Sequence, residues 1–258
     1  IDPDGLYELV DDNTFLISIM TVNNETGALY DIPALCSAAK RKNPSVIFHT
    51  DATQAFMKTD IDVSRSGVDM MTVSAHKIGG PKGVGALYVK DALIRSRSLC
   101  PLLYGGGQEG GLRSGTENTA GIAAFAAAAE DCKNNFAADI QKINSLSDYI
   151  ISELTGLGVQ INKPVNRVPH IISATMPGIK SEVMLHFLSS KGVFVSSGSA
   201  CSSHHPGVSA AALAYGLSKK EADCTVRISL FRENTGAEAA LLTQSIADGV
   251  KNLIKMYR

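Results

Sequence analysis

Three apolar runs of strand length, residues 14–21, 46–51 and 68–73, each end in polar residues, and an amphipathic stretch at 32–42 that stops before Pro44 separates the first two. Strand, helix and strand at this spacing predict a mostly parallel sheet with helices on its faces, and ligands of such sheets sit beyond the carboxyl ends of the strands. Asn24, Asp51 and Lys77 fall at those ends. The third run leads into Ser74-Ala75-His76-Lys77-Ile78-Gly79-Gly80-Pro81-Lys82-Gly83 and then a further apolar run at 84–89. That reads as a strand, a tight polar loop and another strand. A lysine held this way, close to the sheet and partly shielded from water, favours a lowered pKa and a nucleophilic amine able to form a Schiff base. A surface lysine beside a hairpin turn fits the same residues.

The glycine-rich run at 105–118 is a loop whose backbone amides are open to an anion, and Arg113, Ser114 and Thr116 add oxyanion contacts; a flexible linker is the plainer reading. Thr119 is placed to cap an alanine-rich helix over 120–134, a second helix runs over 136–157, and the two together suit a hinge. From residue 158 the pattern turns to α+β. Strands are expected at 159–161, 170–176, 193–195 and 225–230, and helices at 181–191, 209–216 and 237–256. The expected domains are therefore 1–119, connecting helices 120–157, and a smaller α+β domain 158–258.

Charge and cysteine content narrow the function classes. A formal net charge of -1 with no basic patch argues against nucleic-acid or membrane-surface binding. No apolar run approaches a membrane span and the first residues lack a signal-type core, so a cytoplasmic location is expected. Five scattered cysteines without a CxxC pair speak against a disulfide scaffold or zinc ribbon. The glycine loops contain neither GxxxxGK[ST] nor a GxGxxG between strand and helix, which makes a nucleotide-binding reading poor.

An aldehyde cofactor on Lys77 would require a carboxylate partner, because a pyridoxal ring acts as an electron sink only while its nitrogen is protonated. Asp51 sits at the right kind of position, though capping at a strand end fits it too. Gln54 and Asn24 are candidate donors to the ring hydroxyl, and Ser74 and His76 candidate phosphate contacts. Cys201, within Ser199-Ala200-Cys201-Ser202-Ser203, lies in a segment too polar and small-residued for a core, which suits an exposed nucleophilic thiol. His204 and His205 raise a metal reading with Cys201, but adjacent histidines seldom share one ion, and no metal is assigned.

Asn23-Asn24-Glu25-Thr26-Gly27, His49-Thr50-Asp51-Ala52-Thr53-Gln54, the Ser74–Gly83 run, Gly105-Gly106-Gly107-Gln108-Glu109, Arg113-Ser114-Gly115-Thr116-Glu117-Asn118 and Ser197-Gly198-Ser199-Ala200-Cys201 are similar, in order and spacing, to the cysteine desulfurases of the class V aminotransferase group. The last two runs resemble the subgroup that supplies sulfur for iron–sulfur cluster and thiocofactor assembly. The resemblance implies an α/β fold of type I, with a pyridoxal-phosphate domain whose sheet is mostly parallel and a smaller α+β carboxyl-terminal domain. It implies Lys77 as Schiff-base lysine and proton carrier, Asp51 at the ring nitrogen, Gln54 and Asn24 at the ring oxygen, and Ser74 and His76 at the phosphate. Thr116 would reach the cofactor phosphate of the other subunit of a homodimer. Arg227 would clamp the carboxylate of L-cysteine, with Asn24 also at the substrate. Cys201 would take the sulfur as a persulfide, release alanine and pass the sulfur to an acceptor protein, such as an iron–sulfur scaffold or a tRNA-thiolation relay protein.

Two departures qualify this expectation. Relatives carry a further amino-terminal stretch, so the chain reads as the carboxyl-terminal part of such an enzyme, cut or paired with a separate polypeptide. Gly110-Gly111 follows Glu109 where a basic residue is common in relatives. The alternatives are a cofactor-free module for dimerisation or acceptor binding, and a related pyridoxal-phosphate lyase or aminotransferase.

Overall fold

The computed structural model describes residues 1–176, 178–198 and 209–256, with side chains through residue 253. The chain forms two compact units, Ile1–Val22 with Tyr30–Phe136, and Asn23–Leu29 with Ala137–Arg258.

The first unit is built on a four-stranded sheet. After helix α1 (Pro3–Leu9), β1 (Leu16–Met20), α2 (Ile32–Lys42), β2 (Ile47–Asp51), α3 (Val63–Ser66) and β3 (Met70–Ser74) follow, then β4 (Gly85–Val89) and α4 (Asp91–Arg95). The order is β1-β2-β3-β4, with β1, β2 and β3 mutually parallel and β4 antiparallel to β3. The expected strand, polar loop and strand around Lys77 is this β3–β4 hairpin. Helix α2 begins where Asp31 accepts from the Ala34 amide at 3.0 Å, with proline in its first turn, and ends at Asn43 just before Pro44. In β2, Phe48 and Thr50 are buried while His49 and Asp51 lie on the opposite, half-buried face. That alternation turns His49 and Asp51 away from the core, while Thr50 stays buried with its hydroxyl donating to the Ile19 carbonyl.

Helix α5 (Thr119–Gly156) is continuous over 38 residues, which corrects the two helices expected from the sequence. The Asn134-Asn135 pair lacks a proline or glycine to break the hydrogen-bond ladder, and the Asn135 amide side chain donates back to the Asp131 carbonyl at 3.0 Å. The cap is also corrected. Asn118, not Thr119, accepts from the Gly121 amide at 3.0 Å, and Thr119 is the first helical residue. Residues 119–136 of α5 belong to the first unit and 137–156 to the second.

The second unit contains β5 (Gln160–Asn162), β6 (Ile171–Thr175), α6 (Ser181–Ser189), α7 (Ala210–Tyr215), α8 (Lys219–Asp223), β7 (Thr225–Ser229) and α9 (Gly236–Met256). Its antiparallel sheet has the order β5-β6-β7, and every residue of β6 is buried. Ile150 and Leu154 of α5, Ile172, Met184, Leu188, Val226 and Ile246 form its apolar core. The expected strand at 193–195 does not form; a single antiparallel bridge between Ser196 and Arg227 stands in its place. Gly192 and the turn after α6 leave too short an extended stretch for a ladder.

Residues 23–29 join this second unit through an Ala28–Arg167 bridge. Gly27 has φ 73°, and a Cβ there would stand 2.8 Å from the Ile171 carbonyl oxygen, so only glycine allows this approach. Among the described residues no helix is long and apolar enough to cross a membrane.

Candidate active site

Within the first unit, the parallel register pairs Asp51 with Thr72, and the Ala52 amide donates to the Thr72 carbonyl at 2.9 Å. Asp51 thus closes β2 beside Thr72, two residues short of the end of β3. Ser74 ends β3, and a 3-10 turn over Ala75–Ile78, closed by Gly79 at φ 88°, carries His76 and Lys77. Neighbouring strands lie about 5 Å apart, so Asp51, Ser74, His76 and Lys77 share one end of the β2–β3 pair. The Thr53 amide donates to Asp51 Oδ1 at 2.8 Å, which orients the carboxylate. Gln54 follows in the turn after β2 and is half-buried, as is Lys77.

Ser74 Oγ and His76 Nδ1 are 2.7 Å apart. Desolvation, reinforced by the positive charges of Lys77, Lys82 and Lys58, lowers the His76 pKa, so the ring is neutral near pH 7. On the half-buried face of the sheet, His49 bridges all three parallel strands: Nδ1 lies 2.8 Å from Ser18 Oγ and Nε2 lies 2.7 Å from Thr72 Oγ1. Burial lowers its pKa and the nearby Asp51 carboxylate opposes that shift. His49 therefore stiffens the strand ends on which Asp51 sits, a role that its place in the sequence did not suggest.

Lys58 is the residue that sequence reasoning missed. It follows Met57, whose backbone is left-handed at φ 57°. Burial first, and the charge of Lys77 second, push its pKa down to about 8. Among the described residues neither Lys58 nor Lys77 is matched by an ion pair with an acid. Two interacting ammonium groups, a hydroxyl and a neutral imidazole can serve a phosphate, and an oriented carboxylate can accept from a protonated ring nitrogen, so the set fits a phosphorylated, protonated heterocycle. No local pattern around Phe56-Met57-Lys58 announces this; it follows from how the turn after β2 folds back.

Thr116 lies exposed on the glycine-rich loop, where a short 3-10 turn over Glu109–Gly111 is the one regular element and Gln108 Oε1 accepts from the Gly115 amide at 3.2 Å.

The second unit holds the other pair. Arg227 and Thr225 project from one face of β7 while Val226 and Ile228 are buried on the other. Arg227 Nη1 donates to the Asn24 carbonyl at 2.8 Å and Nη2 to Ser196 Oγ at 3.3 Å. Asn24 stands in a turn braced by its neighbour: Asn23 Oδ1 accepts from the Glu25 and Thr26 amides at 3.0 and 2.9 Å. Cys201, His204 and His205 lie outside the described residues. Among the described residues no group of three or more histidine, cysteine or acidic side chains is arranged to hold a metal ion.

The aminotransferase class-V family model matches residues 1–242. A cysteine desulfurase IscS of Clostridium botulinum is 37% identical over 246 residues, covering 91% of this chain and 60% of that protein. A probable mitochondrial cysteine desulfurase of Schizosaccharomyces pombe is 36% identical, covering 99% of this chain and 50% of that protein. Among solved structures, a NifS-like protein superimposes with a TM-score of 0.87 at 32% identity, over 97% of this chain and 65% of that one. SspA in complex with cysteine does so at 0.74 and 36% identity, over 91% of this chain and 64% of that one. The chain thus spans about 60% of the length of the bacterial desulfurase above and half that of the yeast one. With a family model matched along nearly its whole length and an α/β fold shared with solved relatives, this chain belongs to the class-V aminotransferase family.

Proposed function

We propose that the protein is a cysteine desulfurase, which removes sulfur from L-cysteine to give L-alanine and a persulfide on Cys201. The observation that carries this reading is the amine of Lys77 and the oriented carboxylate of Asp51 on the ends of adjacent parallel strands, in a cation-rich surround. Pyridoxal phosphate, when bound, supplies the electron sink for charge developing on the amino-acid carbon. Asp51 keeps a proton at the ring nitrogen, and Gln54 and Asn24 address the ring oxygen. Ser74 and His76 hold the phosphate; the neutral His76 ring shares a hydrogen bond with Ser74 Oγ and so presents its other nitrogen outward. Thr116, exposed on its loop, reaches the phosphate across a homodimer.

Lys77 Nζ anchors the cofactor and then carries a proton between substrate carbons. Arg227 orients L-cysteine by its carboxylate, a task suited to a guanidinium already fixed by two hydrogen bonds. The Cys201 thiolate attacks the substrate sulfur: an S–S bond forms as the Cβ–S bond breaks, and a proton delivered to Cβ completes alanine. The persulfide sulfur then passes to an acceptor protein of iron–sulfur or tRNA-thiolation assembly.

The test is spectroscopic and chemical. Added pyridoxal phosphate produces a visible absorbance band that Lys77→Ala abolishes. L-cysteine produces a persulfide on Cys201, detected by mass spectrometry, that Cys201→Ser removes while the colour stays. Unchanged alanine release in Cys201→Ser would defeat the persulfide route.

A second reading, a cofactor-free docking module, draws on the exposed apolar residues Leu87, Tyr88, Leu102, Leu103 and Tyr104. A protein that stays colourless with excess pyridoxal phosphate but binds a sulfur acceptor would favour it.

A further inference from the structure

The order β5-β6-β7 leaves β7 at one edge of its sheet, and at Arg227 that edge is met by Ser196. The Ser196 amide donates to the Arg227 carbonyl at 3.0 Å, and the Arg227 amide donates to the Ser196 carbonyl at 2.6 Å. Both main-chain groups of Arg227 therefore point outward to Ser196, and Ser173, its register partner on β6, is the closer, non-hydrogen-bonded neighbour. Facing residues of an antiparallel pair put their side chains on one face, so the Arg227 stem runs between two serines. Thr225 shares that face, and Thr26, Ser173, Thr225 and Arg227 line part of a cavity of about 20 Å³, room for about one water, which leaves the stem little slack.

The guanidinium is held at both terminal nitrogens, Nη1 by the Asn24 carbonyl at 2.8 Å and Nη2 by Ser196 Oγ at 3.3 Å. A planar fork held at one nitrogen still swings about that bond. A second hold fixes its plane, and with it the direction in which it meets a carboxylate. The Asn24 contact is to main chain, in a turn fixed by Asn23 and by the close approach of Gly27 to Ile171. The Ser196 contact depends on one hydroxyl.

We propose that Ser196 is a positioning residue, whose hydroxyl sets the plane of the Arg227 guanidinium and so the preference of the site for amines that carry an α-carboxylate. This rests on the desulfurase reading above, in which Arg227 takes the carboxylate of L-cysteine. It does not require Ser196 to touch substrate. The main-chain bridge to Arg227 is independent of the Ser196 side chain, so Ser196→Ala keeps the bridge and removes the hydroxyl alone.

The probes are L-alanine and ethylamine, which is L-alanine without its carboxylate, titrated against the absorbance of the full chain loaded with pyridoxal phosphate. Ser196→Ala is expected to weaken L-alanine about 5- to 10-fold, as for one misaligned charge-assisted hydrogen bond, and ethylamine less than about 2-fold. In turnover, KM for L-cysteine should rise by a similar factor while kcat changes less than about 3-fold, because the hold serves substrate and transition state alike. Ser196→Thr, which keeps the hydroxyl, should recover most of the L-alanine affinity. A readout independent of cofactor and activity is rotation about the Arg227 Nε–Cζ bond, followed by NMR of the guanidinium with the signal assigned through its loss in Arg227→Lys. That rotation should be faster in Ser196→Ala than in wild type and slow again in Ser196→Thr. Unchanged rotation in Ser196→Ala would overturn the proposal. So would unchanged L-alanine affinity, or equal weakening of L-alanine and ethylamine, which marks a merely structural role. If the wild-type protein binds ethylamine as well as L-alanine, the carboxylate role of Arg227 fails, and the rotation measurement alone decides whether Ser196 fixes the guanidinium.

Discussion

Two pairs of lysines in the first unit show how one sheet handles charge in opposite ways. Lys40 and Lys90 share Asp69, at 2.7 and 3.7 Å, and the same carboxylate accepts from the Phe48 amide at 2.9 Å. Asp69 is buried, yet each side of it is answered. Lys58 is desolvated by burial and repelled by Lys77, with no acid paired to either lysine among the described residues, and its pKa falls to about 8. The first arrangement joins α2, β3 and the end of β4 and is complete as it stands. The second costs the fold stability, and unbalanced charge at the carboxyl end of a parallel sheet fits the proposed reading, in which a ligand supplies the missing anion.

The largest expected effect breaks the second pair. On the proposed reading, in which one group both anchors the cofactor and moves protons, Lys77→Ala should lower L-cysteine turnover by about 10³-fold or more, while urea unfolding of the unliganded protein changes little. Asp69→Ala should do the reverse. Stranding Lys40 and the Phe48 amide is expected to cost about 3 kcal/mol of stability in urea denaturation, and the remaining folded protein should still take up pyridoxal phosphate.

Lys58→Met sharpens the contrast through pH. The folded-state pKa of Lys58 lies below its ordinary value near 10.5, so the unfolded chain binds more protons between about pH 8 and 10.5, and the penalty is full below that window and relieved through it. The variant should therefore be more stable than wild type at pH 7, by on the order of 1–2 kcal/mol, with the advantage fading by pH 10. An advantage that grew with pH would contradict the burial argument. Lys90→Met gives the smallest effect: at 3.7 Å and half-exposed, its contact with Asp69 should contribute less than about 1 kcal/mol.

Much of this was legible along the chain because it depends on neighbours in sequence. The strands β1 to β4, the polar ends carrying Asp51 and Lys77, and the stop of α2 before Pro44 follow from periodicity and breakers. The single helix α5 was not legible as one, since an Asn-Asn pair weakens a helix on paper but breaks no hydrogen bond. Arg227 was singled out only through resemblance; its hold on Asn24 joins positions about 200 residues apart. The departure of residues 23–29 into the second unit depends on a bridge to Arg167 and on Gly27 meeting Ile171, neither of which leaves a local pattern. Lys58 escaped for the same reason: its burial and the proximity of Lys77 are products of the folded turn. Residues whose position is set by the sheet they end were readable, and those whose position is set by distant partners were not.

Lys58 also gives the account its sharpest rival, because its lowered pKa makes it a second amine able to capture an aldehyde. Borohydride reduction of the protein with pyridoxal phosphate, followed by peptide mass mapping, fixes the cofactor to whichever amine carries it. A pyridoxyl group is expected on Lys77, with Lys58 unmodified. Label on Lys58, or no label on either lysine, would contradict it.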